Sequence, residues 1–406
     1  MVPEGWHEAT LDGICTKITK GTTPPKSEIV TDSDIPFLRV NNLTPGGAKG
    51  VSGELIYVSS AAHEKLLARS IAYPRDTLMN IVGPPLGKVT FLTDEYPEYN
   101  LNQAVLIYRP DEQQIIPEFL YMFICSFGAQ QWLEARSKKT SGQQNLTIQL
   151  GKELPVALPP LPEQRKIADI LSTWDQAIEK TEALLSNART QKRALMQQLL
   201  TGKRRFPEFE GQPWKEVELG DVVSGIKGGG TPDKSNASFW EGEVPWVSVK
   251  DLKANVIYAT IDTISEAGLK QSASNAFEAG TVVVSTRMAV GVTVKLGCRM
   301  AINQDLKAIL PSKKLNNEFL YHFMKWSTDK LAALGTGSTV KGIKLLDLRR
   351  LPIWLPPSLE EQCRVVDVLE DADAEVESLT SDLSRLRIEK KALMQQLLTG
   401  KRRVVV

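Results

Sequence analysis

The 406-residue chain has only four cysteines and three histidines. Cys15, Cys125, Cys298 and Cys363 lie far apart with no C-x-x-C spacing, which excludes a local zinc knuckle or a disulfide framework and leaves buried free thiols as the expectation. His7, His63 and His322 form no H-E-x-x-H arrangement, so metal-assisted and Ser-His catalysis both lack their usual side chains. No apolar run approaches the roughly 20 residues needed to span a bilayer. The segment Met1-Val2-Pro3-Glu4-Gly5-Trp6 carries no basic stretch followed by an apolar one, and a cytoplasmic location without membrane contact is therefore expected. An excess of one charge is also missing. With 49 Lys and Arg against 48 Asp and Glu, any nucleic-acid binding has to come from local positive surface.

What is present is a duplication, and repeats decide architecture before local structure does. The fourteen residues Lys192-Arg193-Ala194-Leu195-Met196-Gln197-Gln198-Leu199-Leu200-Thr201-Gly202-Lys203-Arg204-Arg205 return at Lys390 to Arg403 with Arg193→Lys391 as the sole difference. Upstream, Leu161-Pro162-Glu163-Gln164 answers Leu359-Glu360-Glu361-Gln362. The match weakens towards the preceding globular segments. There Trp6 answers Trp214, Ile35-Pro36-Phe37 answers Val244-Pro245-Trp246, Asn102-Gln103 answers Asn303-Gln304, and Glu118 to Tyr121 answers Glu318 to Tyr321.

Each repeat closes on one long helix. Pro162 and Glu163 suit a first turn, and Gly202 or Gly400 followed by basic residues suits an end. Ile167, Leu171, Trp174, Ile178, Thr181, Leu185, Ala188, Lys192, Leu195 and Leu199 step by fours and threes, as do Val365, Leu369, Ala372, Val376, Leu379, Leu383, Leu386, Lys390, Leu393 and Leu397. That is a coiled-coil seam interrupted by lysine at the same place in both copies. Helices of about 40 residues, roughly 60 Å long, exceed what either half needs for its own core. An antiparallel pair follows from the pseudo-two-fold repeat. The boundaries read as a first globular domain at 1–158, a helix at 159–205, a second domain at 206–355 and a helix with tail at 356–406.

The globular segments mix β-like runs, such as Ala104 to Tyr108 and Thr281 to Val284, with helical stretches at Pro117 to Ala135 and Asn317 to Leu334, so each reads as α+β. Polar loops recur at equivalent places. One holds Lys20, Gly21, Thr22, Thr23 and Lys26 against Lys227, Gly229, Gly230, Thr231 and Lys234; another holds Ser141, Gly142 and Gln143 against Gly337, Ser338, Thr339 and Lys341. Backbone amides, hydroxyls and lysines suit phosphates, while Asn, Gln and Arg read base edges. Arg39 and Asn41 against Ser248 and Lys250, Asn102 and Gln103 against Asn303 and Gln304, and Arg287 complete the candidate DNA-binding set. For the basic clusters Lys203 to Arg205 and Lys401 to Arg403, dipole complementation at a helix end is the expectation.

The entries Leu158-Pro159-Pro160-Leu161-Pro162-Glu163-Gln164-Arg165 and Leu355-Pro356-Pro357-Ser358-Leu359-Glu360-Glu361-Gln362, the long helices and their K-x-A-L-M-Q-Q-L-L-T-G-K closures resemble the specificity subunit of type I restriction-modification systems over almost the whole chain. Gly228 to Pro232, Val244 to Asp251 and Asn303 to Asp305 look like parts of a target-recognition domain. The resemblance implies two pseudo-symmetric α/β target-recognition domains separated by an antiparallel coiled coil, with no catalytic and no metal residues of their own. It further implies double-stranded DNA, two modification subunits and ATP-dependent restriction subunits as partners, with S-adenosylmethionine, ATP and magnesium on those partners and no cofactor in this chain.

Other chemistries are poorly supplied. The Gly-rich loops lack the G-K-[ST] ending of a P-loop. Gly83-Pro84-Pro85-Leu86 lacks the polar and aromatic ends of a methyltransferase tetrapeptide. A metal-dependent nuclease finds Pro232-Asp233 and Asp251-Leu252-Lys253 in the second half only, since the first has Pro24-Pro25 and Asn42-Leu43-Thr44. A coiled-coil scaffold that binds no DNA is the remaining alternative.

Overall fold

The computed structural model describes residues 2–44, 50–83, 85–140, 143–335 and 342–405. It forms two compact units, Met1–Glu182 with Asp382–Val406, and Ala183–Ser381. Each unit takes part of both long helices.

The two helices, Leu161–Leu199 and Leu359–Leu397, are 39 residues each. Their seam is buried where it meets a globular segment, at Ile167 and Leu171 in the first unit and at Val365 and Leu369 in the second. In the first unit Asp175 pairs with Lys390 and Glu182 with Arg387, while in the second Lys192 pairs with Asp373 and Arg205 with Glu361. Numbers rise on one helix as they fall on the other, so each unit contains an antiparallel pair. Both helices end alike, with Gly202 and Gly400 at φ +66. That left-handed turn favours glycine.

The first unit builds a four-stranded antiparallel sheet in the order Cys15–Lys20, Val105–Pro110, Thr77–Asn80, Val89–Phe91. A second sheet runs Ile29–Val30, Ile56–Val58, Pro36–Leu38, Asn100–Leu101, the last pair parallel. The second unit repeats the plan with Val223–Gly228, Leu306–Pro311, Val282–Ser285, Thr293–Leu296 and Val256–Ile257 in one sheet. Its other sheet runs Asp262–Ile264, Trp240–Val247, Met300–Ile302, Asn275–Phe277.

Against the first sheet packs Pro117–Cys125, whose Phe119, Leu120, Tyr121 and Phe123 join Met79, Leu106, Tyr108 and Ile167 in one core. Asn317–Trp326 does the same in the second unit with Phe319, Leu320, Phe323 and Met324 on Val282, Val284 and Ile309. Each such side chain contributes about 1.5–3 kcal/mol on full burial. The helical stretches expected as single elements are each two helices. In the first, Ser126 is extended and its hydroxyl accepts the Ala129 amide at 3.3 Å, starting Phe127–Arg136 afresh.

Candidate nucleic-acid interface

In the second unit, antiparallel pairing sets Gly228 opposite Lys307 and Ser285 opposite Leu306, so three chain segments emerge at one end of the sheet. These are the loop after Gly228, the turn Asn303-Gln304-Asp305 and the loop after Ser285. The neighbouring sheet joins them, because Val247 lies beside Ile302 and the Asn303 amide donates to the Val247 carbonyl at 3.0 Å, placing Ser248 and Lys250 at the same end. Thr231 Oγ1 donates to Gln304 Oε1 at 2.5 Å, and Arg287 lies 3.7 Å from Asp305.

The first unit has the same arrangement. Lys20 pairs with Leu106 and Asn80 with Val105, while the Asn102 amide donates to Leu38 at 3.0 Å, so Lys20 to Thr23, Asn102-Gln103, Arg39 and the loop after Asn80 converge. The Gln103 amide reaches Thr23 Oγ1 at 3.4 Å. Ser141, Gly142, Gly337, Ser338, Thr339 and Lys341 lie outside the described residues. Gln143 begins the strand Gln143–Asn145, which is tied to this end by a bridge from Asn145 to Val82.

The candidates divide by burial. Lys20, Thr23, Lys26, Asn41, Gln103, Lys227, Lys234, Lys250, Arg287 and Gln304 are exposed; Thr22, Arg39, Asn102, Gly229 and Thr231 are partly buried. Gly21, Gly230, Ser248 and Asn303 are buried and committed to the fold. A Cβ on Gly21 would lie 2.2 Å from the Leu101 and Asn102 carbonyl oxygens, and one on Gly229 1.7 Å from that of Ile302. Glycine is required there by close backbone approach. The Ser248 hydroxyl donates to Asp251 at 3.0 Å, and Asn303 Oδ1 accepts the Asp305 amide at 3.1 Å.

Sequence reasoning missed Lys307, whose Nζ donates to the Gln304 carbonyl at 2.7 Å. Burial pushes its ammonium below the usual range, with Asp305 opposing and Arg287 adding to the shift. It also missed Arg69, exposed and donating to Thr22 Oγ1 at 3.1 Å. Neither belongs to a motif; strand pairing brings in Lys307, and a side-chain hydrogen bond brings in Arg69. The two carboxylates of the nuclease pattern are occupied elsewhere. Asp251 accepts from the Ser248 and Ile261 amides at 2.8 and 2.9 Å, and Asp233 from the Ser235 amide and hydroxyl at 2.9 and 2.8 Å. Among the described residues no group of three His, Cys, Asp or Glu is placed to hold a metal.

The entry and closure motifs make a second kind of site. Glu163, 3% exposed, accepts from Trp6 Nε1 at 3.0 Å and from Arg403 Nε and an Arg403 terminal nitrogen at 2.7 and 2.8 Å. Glu361, 1% exposed, accepts from Trp214 at 2.9 Å and twice from Arg205 at 2.9 Å. Burial alone raises the Glu163 pKa, but the Arg403 and Trp6 hydrogen bonds outweigh it and hold the carboxyl below its usual range. These arginines are therefore not merely complementing a helix dipole, as the sequence suggests; each forms a two-pronged ion pair with a buried carboxylate. Beside them, Gln164 Oε1 accepts the Ile116 amide at 2.8 Å and Gln362 Oε1 the Asn316 amide at 2.7 Å.

Each unit thus closes on its own Trp–Glu–Arg latch and presents matched backbone but different side chains at one sheet end, the plan of an internally duplicated, two-headed recognition protein. The chain belongs to the family described as the type I restriction modification DNA specificity domain, whose model matches residues 3–186 and 211–386. It is 27% identical over 417 residues to the putative type I restriction enzyme MjaX specificity subunit of Methanocaldococcus jannaschii, covering 99% of this chain and 95% of that one. Among solved structures, a chain from work on complex assembly and conformational transition of the type I R-M system is similar at TM-score 0.64 and 21% identity, covering 99% of this chain and all of that one. The type I restriction-modification S subunit of M. genitalium is similar at TM-score 0.60 and 17% identity, covering 98% and 96%. These likenesses carry the fold: two α+β heads and two long helices, as the sequence implies. No helix among the described residues is long and apolar enough to cross a membrane.

Proposed function

We infer that the chain is the non-catalytic DNA specificity subunit of a type I restriction-modification system, each head reading one half of a bipartite, asymmetric duplex site. One observation carries this reading beyond the family match: equivalent loops converge at one sheet end in both heads, yet their exposed side chains differ. Two different readers in one chain fit two different half-sites, where a homodimer would demand a palindrome. Exposed Lys20, Lys26, Lys227, Lys234 and Lys250 serve phosphates; Asn41, Gln103, Arg287 and Gln304 serve base edges.

Two modification subunits dock on the chain and methylate adenine N6 with S-adenosylmethionine, flipping the base out of the stack themselves. Restriction subunits add ATP- and magnesium-dependent cleavage. The test is binding of the chain, assembled with its modification subunits, to duplexes carrying the bipartite site found by mapping methylated adenines. Arg287→Ala is expected to relax one half-site and leave the other unchanged. Absence of any sequence preference in the wild-type assembly would overturn the reading.

A further inference from the structure

Building on that reading, we propose that Met288 is a specificity-determining residue of the second head, contacting a thymine methyl group in its half-site. Met288 is 67% exposed at the sheet end, and its backbone is left-handed at φ +66. A residue with a Cβ is strained there and glycine is not. Such strain persists only where the surroundings impose it.

Here they do. Ser285 Oγ donates to the Arg287 carbonyl at 2.7 Å, and the Gly291 amide donates to the Ser285 carbonyl at 2.9 Å. Thr286 is held from two sides, its amide on the Asp305 carbonyl at 2.8 Å and its own carbonyl accepting the Ile343 amide at 2.9 Å. Two residues beyond Met288, Val290 is buried in the core beneath. An apolar side chain is therefore held out in solvent on a pinned loop, next in sequence to exposed Arg287 and at the same sheet end as Gln304.

Arg and Gln match the polar groups of base edges, and the apolar group that a major groove displays is the thymine C5 methyl. In the corresponding loop of the first head, Asn80 donates to the Val82 carbonyl as Ser285 does to that of Arg287, and the residue that then follows, also at positive φ, is Gly83. Met288 therefore gives the second head an apolar element of recognition at a position where the first head has glycine.

The experiment selects duplexes from a pool randomised in both half-sites, using the full chain assembled with its modification subunits, for wild type, Met288→Gly and Met288→Leu. Each thymine of the selected site is then replaced by deoxyuridine. Wild type is expected to lose about 4-fold in affinity on one such replacement in the second head's half-site, the worth of one buried methyl group. Met288→Gly is expected to be indifferent to that replacement and to lose base preference at that pair alone, with a melting temperature at or above wild type because the strain is gone. Met288→Leu is expected to keep the preference. Identical base preferences in Met288→Gly and wild type, or a wild type indifferent to every deoxyuridine, would overturn the assignment while leaving the DNA-specificity reading intact. A wild type without sequence preference would sink both.

Discussion

The latches and the sheet ends of the two units differ in what they repeat. Trp6, Glu163 and Arg403 in the first unit do what Trp214, Glu361 and Arg205 do in the second, down to the pairing of indole and guanidinium on one carboxylate. At the sheet ends the backbone repeats and the side chains do not. Lys307 stands where the strand register puts the buried core residue Leu106 in the first head, and exposed Met288 follows the bridged Arg287 where Gly83 follows the bridged Val82 in the first head. A buried ionic latch tolerates few alternatives, because removing one partner leaves the other charge desolvated and unpaired. A solvent-facing loop end tolerates many, and there the two heads can acquire different readers.

The largest expected effect tests the equivalence of the latches. Glu361→Ala leaves Arg205, whose side chain is only 15% exposed, without its carboxylate. It is expected to cost about 3–5 kcal/mol in the second unit. Glu163→Ala is expected to cost the first unit less, since the Arg403 side chain is 44% exposed and can return to water. Native-state hydrogen exchange followed separately in each unit reads both. Equal losses would show that arginine burial does not set the cost.

Next comes a place where the units differ inside the core. By the alignment of Glu118 to Tyr121 with Glu318 to Tyr321, buried His322 answers Met122. Burial is the main cause pushing the His322 imidazole down to about 4 from the usual 6.5; Lys192 and Lys295 add to the shift, and Asp373 and Glu318 oppose it. Because its folded pKa lies below the unfolded one, the neutral ring belongs to the fold. The stability it confers is full above about pH 6.5 and is lost as the pH falls towards 4, since the unfolded chain takes up the proton first. The loss is on the order of 3 kcal/mol by pH 4. Denaturant titrations from pH 7 to pH 4 are expected to show the second unit weakening more steeply than the first, and His322→Met to remove the excess. A slope that survives His322→Met would place the titration elsewhere.

The sequence made the repeat, the long helices, their glycine-ended closures and the mixed heads legible, because each rests on periodicity or on residues close together in the chain. It also placed Arg287, Gln304 and the Gly-Thr-Pro loops among the candidates, since their residue types advertise polar contact. What it hid depends on pairing between distant strands. Lys307 has no motif, and only its place opposite Gly228 brings it to the sheet end. The entry and closure motifs were visible as text, but their meaning was not: Glu163 and Arg403 are separated by most of the chain, and no local rule makes them partners. The burial of Ser248 and Asn303 was equally invisible, because a hydroxyl or amide looks the same whether it faces solvent or a neighbouring turn.

The smallest effect concerns the lysines that interrupt the seam. Lys192 on Asp373 and Lys390 on Asp175 are equivalent pairs, one in each unit, and both lysines are largely buried with side chains 19% and 16% exposed. A lone charge left in such a seam is costly, whereas an apolar pair of similar volume can be neutral or better. Lys192→Leu alone is therefore expected to destabilise the second unit by about 1–3 kcal/mol through the stranded Asp373. The double variant Lys192→Leu, Asp373→Leu is expected to return to within about 1 kcal/mol of wild type. Polar seam residues are best understood as fixing register at some cost in stability. If the double variant folds as stably but its antiparallel pairing slips, read by cysteine pairs engineered across the seam, the ion pairs specify register. If the double variant is as unstable as the two single changes combined, the pairs contribute net stability instead, and the seam belongs with the latches as a part that closes each unit.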